Sequence, residues 1–184
     1  MNLTYSKTIA HQDLLESCKK GDQKAQMEIY KLYYKAMYNT SLNIVKDTAE
    51  AEDIMQESFL KAFRILPQTN IAAGFGGWLK KIVINKSLDA VRKRKIYFED
   101  VDEMRDVAID ESSYDTQGES VSKTIARIKA AMTELPEKYR TVLSLNLLEG
   151  YDHDEISGLL GITTSTSRAQ LSRGKQKLLA ILKN

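Results

Sequence analysis

Apolar residues recur every three or four positions along most of the chain, the spacing of amphipathic helices. Leu14, Leu15 and Cys18 mark a short helix over 12–20, which Gly21-Asp22 interrupts. Asp22 is placed to cap the next segment, where Ala25, Ile29, Leu32, Tyr33, Ala36 and Met37 follow the helical spacing. Asp47 opens a third helix, with Glu50 three residues on in capping-box register. Ile54, Met55, Leu60, Ala62, Phe63 and Leu66 are its apolar residues, and Pro67 ends it. The stretch PQTNIAAGFGG, 67–77, reads as a loop from its Pro, Asn and Gly content. Trp78, Leu79, Ile82, Val83, Leu88 and Val91 mark a fourth helix that closes on Arg92-Lys93-Arg94-Lys95.

The pattern stops between Glu99 and Glu119. Acids crowd there (Glu99, Asp100, Asp102, Glu103, Asp106, Asp110, Glu111, Asp115, Glu119) against the single base Arg105, with few large apolar residues. Such a stretch cannot bury enough surface to fold, so 97–119 reads as a flexible acidic linker. It separates two small helical domains, 1–96 and 120–184. In the second, a helix runs through Ile125, Ile128 and Met132. Pro136 suits the first turn of the next helix and Gly150 the position past its end. Asp152 and Glu155 form a second capping pair ahead of Ile156, Leu159 and Leu160; Gly161 makes a turn, and Thr163 or Thr164 caps a last helix to Lys183. The fold class expected is all-α, with a C-terminal helix-turn-helix.

Composition narrows the function. Cys18 is the only cysteine, so an intramolecular disulfide and a cysteine zinc cluster are excluded; the plain reading of Cys18 is a small buried apolar residue. No apolar run approaches the ~18 residues of a membrane span, and the start MNLTYSKTIAHQD has no apolar signal core, so a cytoplasmic protein without membrane insertion is expected. His11 and His153 sit in no nucleophile or ligand pattern, and no phosphate-cradling glycine loop occurs. No enzyme activity, metal or cofactor is therefore expected. The net charge of +2 is uninformative, but its distribution is not.

From Ile162 to Asn184 every charged side chain is basic: Arg168, Arg173, Lys175, Lys177 and Lys183. Ser167, Leu171, Gly174, Leu178 and Ile181 follow a 4-3-4-3 spacing that turns them inward. Arg168, Ala169, Ser172, Arg173 and Gln176 then point outward. A recognition helix needs this division, because its outer face must approach phosphates without like-charge repulsion while its first turns bring donors to base edges. A solvated basic face is the plainer reading of most charge runs; the cap, the glycine turn and the acid-free face together favour DNA. A second basic track, Lys80 to Lys95, carries Lys80, Lys81, Lys86, Arg92, Lys93, Arg94 and Lys95 against Asp89. Aromatics beside such a track suit single-stranded DNA, bases stacking while cations follow the backbone. Of the two nearby, Trp78 fits the apolar stripe, which leaves Phe75 as the stacking candidate.

Three segments in this order resemble the sigma-70 family of bacterial RNA polymerase sigma factors. AEDIMQESFLKAFRIL resembles the segment that binds the polymerase clamp, FGGWLKKIVINKSLDAVRKRK the one that melts and reads the −10 element, and LPEKYRTVLSLNLLEGYDHDEISGLLGITTSTSRAQLSRGKQKL the one that reads the −35 element. The short two-domain layout points to the extracytoplasmic-function (ECF) group. The resemblance implies polymerase binding by Asp53, Gln56, Glu57 and Phe59; −10 contacts by Phe75, Lys80, Lys81, Asn85, Lys86 and Arg92; and −35 contacts by Thr166, Arg168, Ala169, Ser172, Arg173 and Lys177. It implies core polymerase (clamp and flap) and promoter DNA as partners, and family members are often held by an anti-sigma factor. Gly174 departs from the family's usual alanine, a change that costs a helix about 1 kcal/mol. The rival reading, a stand-alone helix-turn-helix regulator, explains the C-terminal segment equally well but neither the clamp-like helix nor the basic track.

Overall fold

The computed structural model of the chain describes residues 3–71, 74–97 and 121–183, and among these all regular structure is helical. The chain divides into two compact units, Met1–Lys93 and Arg94–Asn184. The segment expected as a linker, 97–119, lies outside the described residues apart from Tyr97, which ends a helix.

The first unit holds α1 (Leu3–Lys19), α2 (Gln23–Val45), α3 (Thr48–Ile65) and most of α4 (Phe75–Tyr97), with a 3-10 turn at Leu66–Gln68. The first helix is longer than its apolar pattern suggests, and His11 lies within it. The Asp22 carboxylate accepts from the Lys24 and Ala25 amides at 2.8 and 3.4 Å, and Asp47 accepts from the Glu50 amide at 2.8 Å. Pro67 sits in the 3-10 turn that closes α3. The core is built from Ile29, Met37 and Ile44 of α2, Met55, Phe59 and Ala62 of α3, Leu66, and Phe75, Leu79, Val83, Ile84 and Leu88 of α4. Each large side chain so buried contributes about 1.5–3 kcal/mol. A small polar contact sits among them: the Ser87 hydroxyl donates to the Val83 carbonyl at 2.9 Å and lies 3.0 Å from the Ser41 hydroxyl, both serines being fully buried.

Two expectations change here. Leu32 is 62% exposed, although it was grouped with the apolar positions of α2. Phe75, Gly76 and Gly77 form the first turn of α4 and are not loop. The first amides of a helix need no intrahelical partner, so glycine is tolerated there, and the Trp78 amide already donates to the Gly74 carbonyl at 3.3 Å. Gly76 is also needed for space, since a Cβ on it would lie 2.8 Å from Tyr33 Cε1.

The second unit holds α5 (Val121–Glu134), α6 (Glu137–Leu143), α7 (His153–Leu160) and α8 (Thr164–Lys183). Pro136 is the residue before α6, one position earlier than the first turn, and α6 runs on into a π-helical turn at Ser144–Leu148. Gly150 and Gly161 take left-handed backbone, φ 78° and 67°, where other residues are strained. The capping box of α7 is complete: Asp152 accepts from the Glu155 amide at 2.8 Å, and the Asp152 amide donates to the Glu155 carboxylate at 3.0 Å. Tyr139, Val142, Leu143, Leu145, Ile156 and Leu171 form the core. Arg140 is buried with them and donates through Nη1 to the Leu135 carbonyl at 3.1 Å, which satisfies the chain end of α5.

Candidate nucleic-acid interface

The helix-turn-helix is α7, the Gly161 turn and α8. Thr163 caps α8, its hydroxyl accepting from the Thr166 amide at 3.1 Å. The faces divide as the spacing expects. Ser167, Leu171 and Gly174 are buried and Leu178 and Ile181 half-buried, while Arg168, Ala169, Ser172, Arg173 and Gln176 are exposed. Two side-chain bonds tie the first turn of α7 to α8: His153 Nδ1 with the buried Ser167 hydroxyl at 2.9 Å, and the Thr164 hydroxyl donating to Asp154 at 3.0 Å. Thr166 is half-buried. Lys177 is half-buried too, its ammonium 5.7 Å from the Tyr139 ring centroid.

Gly174 has a structural reason in the packing of α8 on α6. A Cβ there would lie 3.0 Å from Leu143 Cδ1 and 3.2 Å from Tyr139 Cβ. Glycine lets α8 approach α6 more closely than alanine allows, and the lost helix propensity is offset by that packing.

On α4, Lys81, Asn85 and Arg92 are exposed and Lys80 and Lys86 half-buried. Phe75 is corrected: only 2% exposed, it offers no face to a base. Its ring is held between Tyr33, at 5.4 Å, and Trp78, at 5.6 Å, because its place in the first turn of α4 puts it in register with Leu79 and Val83. Trp78 is half-buried beside it, in keeping with its place on the apolar stripe. Beside them the Tyr33 hydroxyl is hydrogen-bonded with His11 Nε2 at 2.8 Å, on the wall of an open cleft of 720 Å³ that Asn70 and Ile71 also line.

On α3, Asp53, Gln56 and Glu57 are exposed together, as their spacing expects. Phe59 is corrected in turn. It is 2% exposed and packs on Tyr30 at 4.9 Å and Phe63 at 5.9 Å, so it cannot be a surface contact as the helix stands. Leu60, expected among the apolar residues of the helix, is 65% exposed and shares the outward face with Gln56 and Glu57. Sequence reasoning missed it because a leucine next to a phenylalanine gives no sign of which one turns inward.

The candidate polymerase face and the candidate DNA track meet at a Glu57–Lys86 pair. Lys86 Nζ of α4 donates to the Glu57 carboxylate of α3. That hydrogen bond and charge, with Lys93 adding to them, hold the Glu57 carboxyl below its ordinary pKa. Arg92 is paired with Asp89 on its own helix at 3.0 Å. Among the described residues no group of three or more His, Cys, Asp and Glu side chains is placed to hold a metal, and no helix is long and apolar enough to cross a membrane.

Comparison with known proteins agrees with this geometry. Residues 29–96 match the family described as sigma-70 region 2, and residues 125–178 match sigma-70, region 4. The chain is 28% identical over 181 residues to the ECF RNA polymerase sigma factor SigW of Bacillus subtilis (strain 168), an alignment covering 89% of this chain and 92% of that protein. It is 32% identical over 162 residues to the ECF sigma factor SigE of Mycolicibacterium smegmatis, covering 86% and 63%. Among solved structures, the fold is similar to the sigma factor RpoE in complex with the anti-sigma factor NepR from Bartonella quintana, with a TM-score of 0.55, 21% identity and coverage of 85% and 96%. It is similar to CnrH in complex with the cytosolic domain of CnrY at the same TM-score of 0.55, with 20% identity and coverage of 95% and 97%. The chain belongs to the ECF group of the sigma-70 family: it is an alternative sigma factor, which directs transcription.

Proposed function

We propose that the work of promoter recognition is divided between the two units. The α3 face of Asp53, Gln56 and Glu57, with Leu60 as an apolar anchor, docks on the clamp of core RNA polymerase, and the second unit meets the flap. The α8 helix enters the major groove of the −35 element, with Arg168, Ala169 and Ser172 toward base edges, Thr166 and Lys177 toward the backbone, and Arg173 toward either. Lys80, Lys81, Asn85, Lys86 and Arg92 of α4 hold the opened non-template strand of the −10 element. Strand opening draws on binding energy, and the chain supplies no covalent chemistry, metal or cofactor. The site of action is the cytoplasm. An anti-sigma factor is a further proposed partner, and exposed Ile125, Ile128, Leu147, Leu148 and Leu179 of the second unit are surface that such a protein would cover.

The observation that carries this reading is the outer face of α8, with basic and small residues outward and no acid, over a buried seam of Ser167, Leu171 and Gly174. A stand-alone regulator would share that face but not the match to region 2. The test is reconstitution: the chain should co-purify with core polymerase and bind promoters tightly only within the holoenzyme, and sequencing the bound DNA gives its elements. Tight, specific operator binding by the chain alone, without association with core enzyme, would favour the regulator.

A further inference from the structure

We infer that Glu57 acts as an internal stand-in for a DNA phosphate, holding Lys86 in the free protein and releasing it when Glu57 is drawn to a basic surface on the polymerase. The inference rests on the proposed roles of α3 and α4, and it adds a coupling between them. Glu57 is exposed, with its side chain 65% accessible, and lies on the same face as Asp53 and Gln56. It nevertheless points one carboxylate oxygen at Lys86, a cation of the basic track, whose own side chain is 28% accessible. The two residues are 29 positions apart and come from different helices, so the pair is made by the tertiary fold and not by helical spacing.

The chemistry is exclusive. A lysine ammonium engaged by a carboxylate is a poorer partner for a phosphate, because the carboxylate both occupies a donor and repels the incoming anion. A partner that places a cation on Glu57 removes both obstacles at once. In the other direction, a phosphate on Lys86 frees Glu57 for its partner, as linkage requires. Polymerase docking and capture of the single strand would each favour the other through this contact. An exposed pair is weak, so the restraint is modest: relieving it should tighten single-strand binding about two- to fivefold.

The experiment measures binding of the full-length chain to a fluorescent 20-nucleotide oligo-dT at several salt concentrations, in wild type, Glu57→Gln, Lys86→Gln and the double variant. Glu57 is exposed and Lys86 half-buried, and neither side chain is part of the apolar core, so these changes should leave the fold intact, which thermal melts check. Glu57→Gln is expected to tighten binding and to steepen the slope of log affinity on log salt by up to ~0.7, the contribution of one more neutralised phosphate on a single strand. In the Lys86→Gln background the same Glu57 change should have little effect. Equal tightening in both backgrounds would overturn the inference, since Glu57 would then act by general repulsion. Weaker binding by Lys86→Gln together with no effect of Glu57→Gln would overturn it as well, while leaving the α4 track standing. No effect of Lys86→Gln would remove the α4 reading and the inference with it.

Discussion

Two basic helices, α4 and α8, are candidates for contact with DNA, and they carry their charge differently. On α8 the outward face holds Arg168 and Arg173 with no acid from Ile162 onward. On α4 the cations are interleaved with acids: Lys86 is paired with Glu57 of α3, and Arg92 with Asp89. A helix that meets duplex DNA in a groove has only to be clean on one side. A helix meeting a strand that exists only after the duplex opens gains from being partly satisfied beforehand, because unshielded cations would otherwise bind any nucleic acid. The cores beneath them share one device. Each helix carries a glycine at a close approach, Gly76 against the Tyr33 ring and Gly174 against Leu143.

The sharpest break in the comparison is Arg168→Ala. An arginine bidentate to guanine is worth about 1–3 kcal/mol of discrimination, so the variant should lower transcription and relax preference at one or two −35 positions, read out on a panel of −35 variants. An unchanged preference profile would mean that α8 sits in another rotation or groove. Lys177→Ala should act otherwise, weakening all sequences alike and flattening the salt dependence.

Gly76→Ala should be the more damaging of the two glycine changes. The added methyl meets an aromatic ring at 2.8 Å, and that ring is tied by its hydroxyl to His11. Overpacking of this kind costs about 1–3 kcal/mol, visible as a lower Tm of the first unit. Gly174→Ala meets Leu143 at 3.0 Å but regains about 1 kcal/mol of helix propensity, so its Tm should move less. A larger loss from Gly174→Ala would reverse the order of crowding assigned to the two helices.

Charge reversal of Asp53 and Glu57 should weaken assembly with core polymerase and change the folding free energy by about 0.5 kcal/mol or less, since both are exposed. Undiminished assembly would remove α3 as the docking helix.

The smallest effect concerns pH. The folded pKa of Glu57 is lowered by Lys86, so the contribution of the pair is present above the ordinary carboxylate range and is lost as pH falls through the depressed value. Carboxyl-carbon NMR should show the Glu57 titration moving up when Lys86 is changed to Gln; a fixed midpoint would mean that the pair is absent in solution.

Much of this molecule was legible in the sequence. The helix-turn-helix, its capping box and both faces of α8 follow from local rules, because a 3.6-residue period acting on residues of unambiguous polarity leaves one sensible rotation. Asp22, Asp47, Asp152 and Gly161 mark helix ends by chemistry that operates within four residues. What local rules could not decide is rotation where neighbours are equally apolar. Phe59 and Leu60 stand about 100° apart on α3, and only the Tyr30 ring, 4.9 Å from Phe59 and 29 residues earlier in the chain, selects the phenylalanine for the core. Phe75 turns inward for the same reason, since α4 begins at Phe75 and Tyr33 offers its ring. Periodicity reports which residues share a face; the direction of that face, the fit of Gly174 against Leu143 and the Glu57–Lys86 pair depend on segments far away in sequence, which the tertiary structure alone brings together.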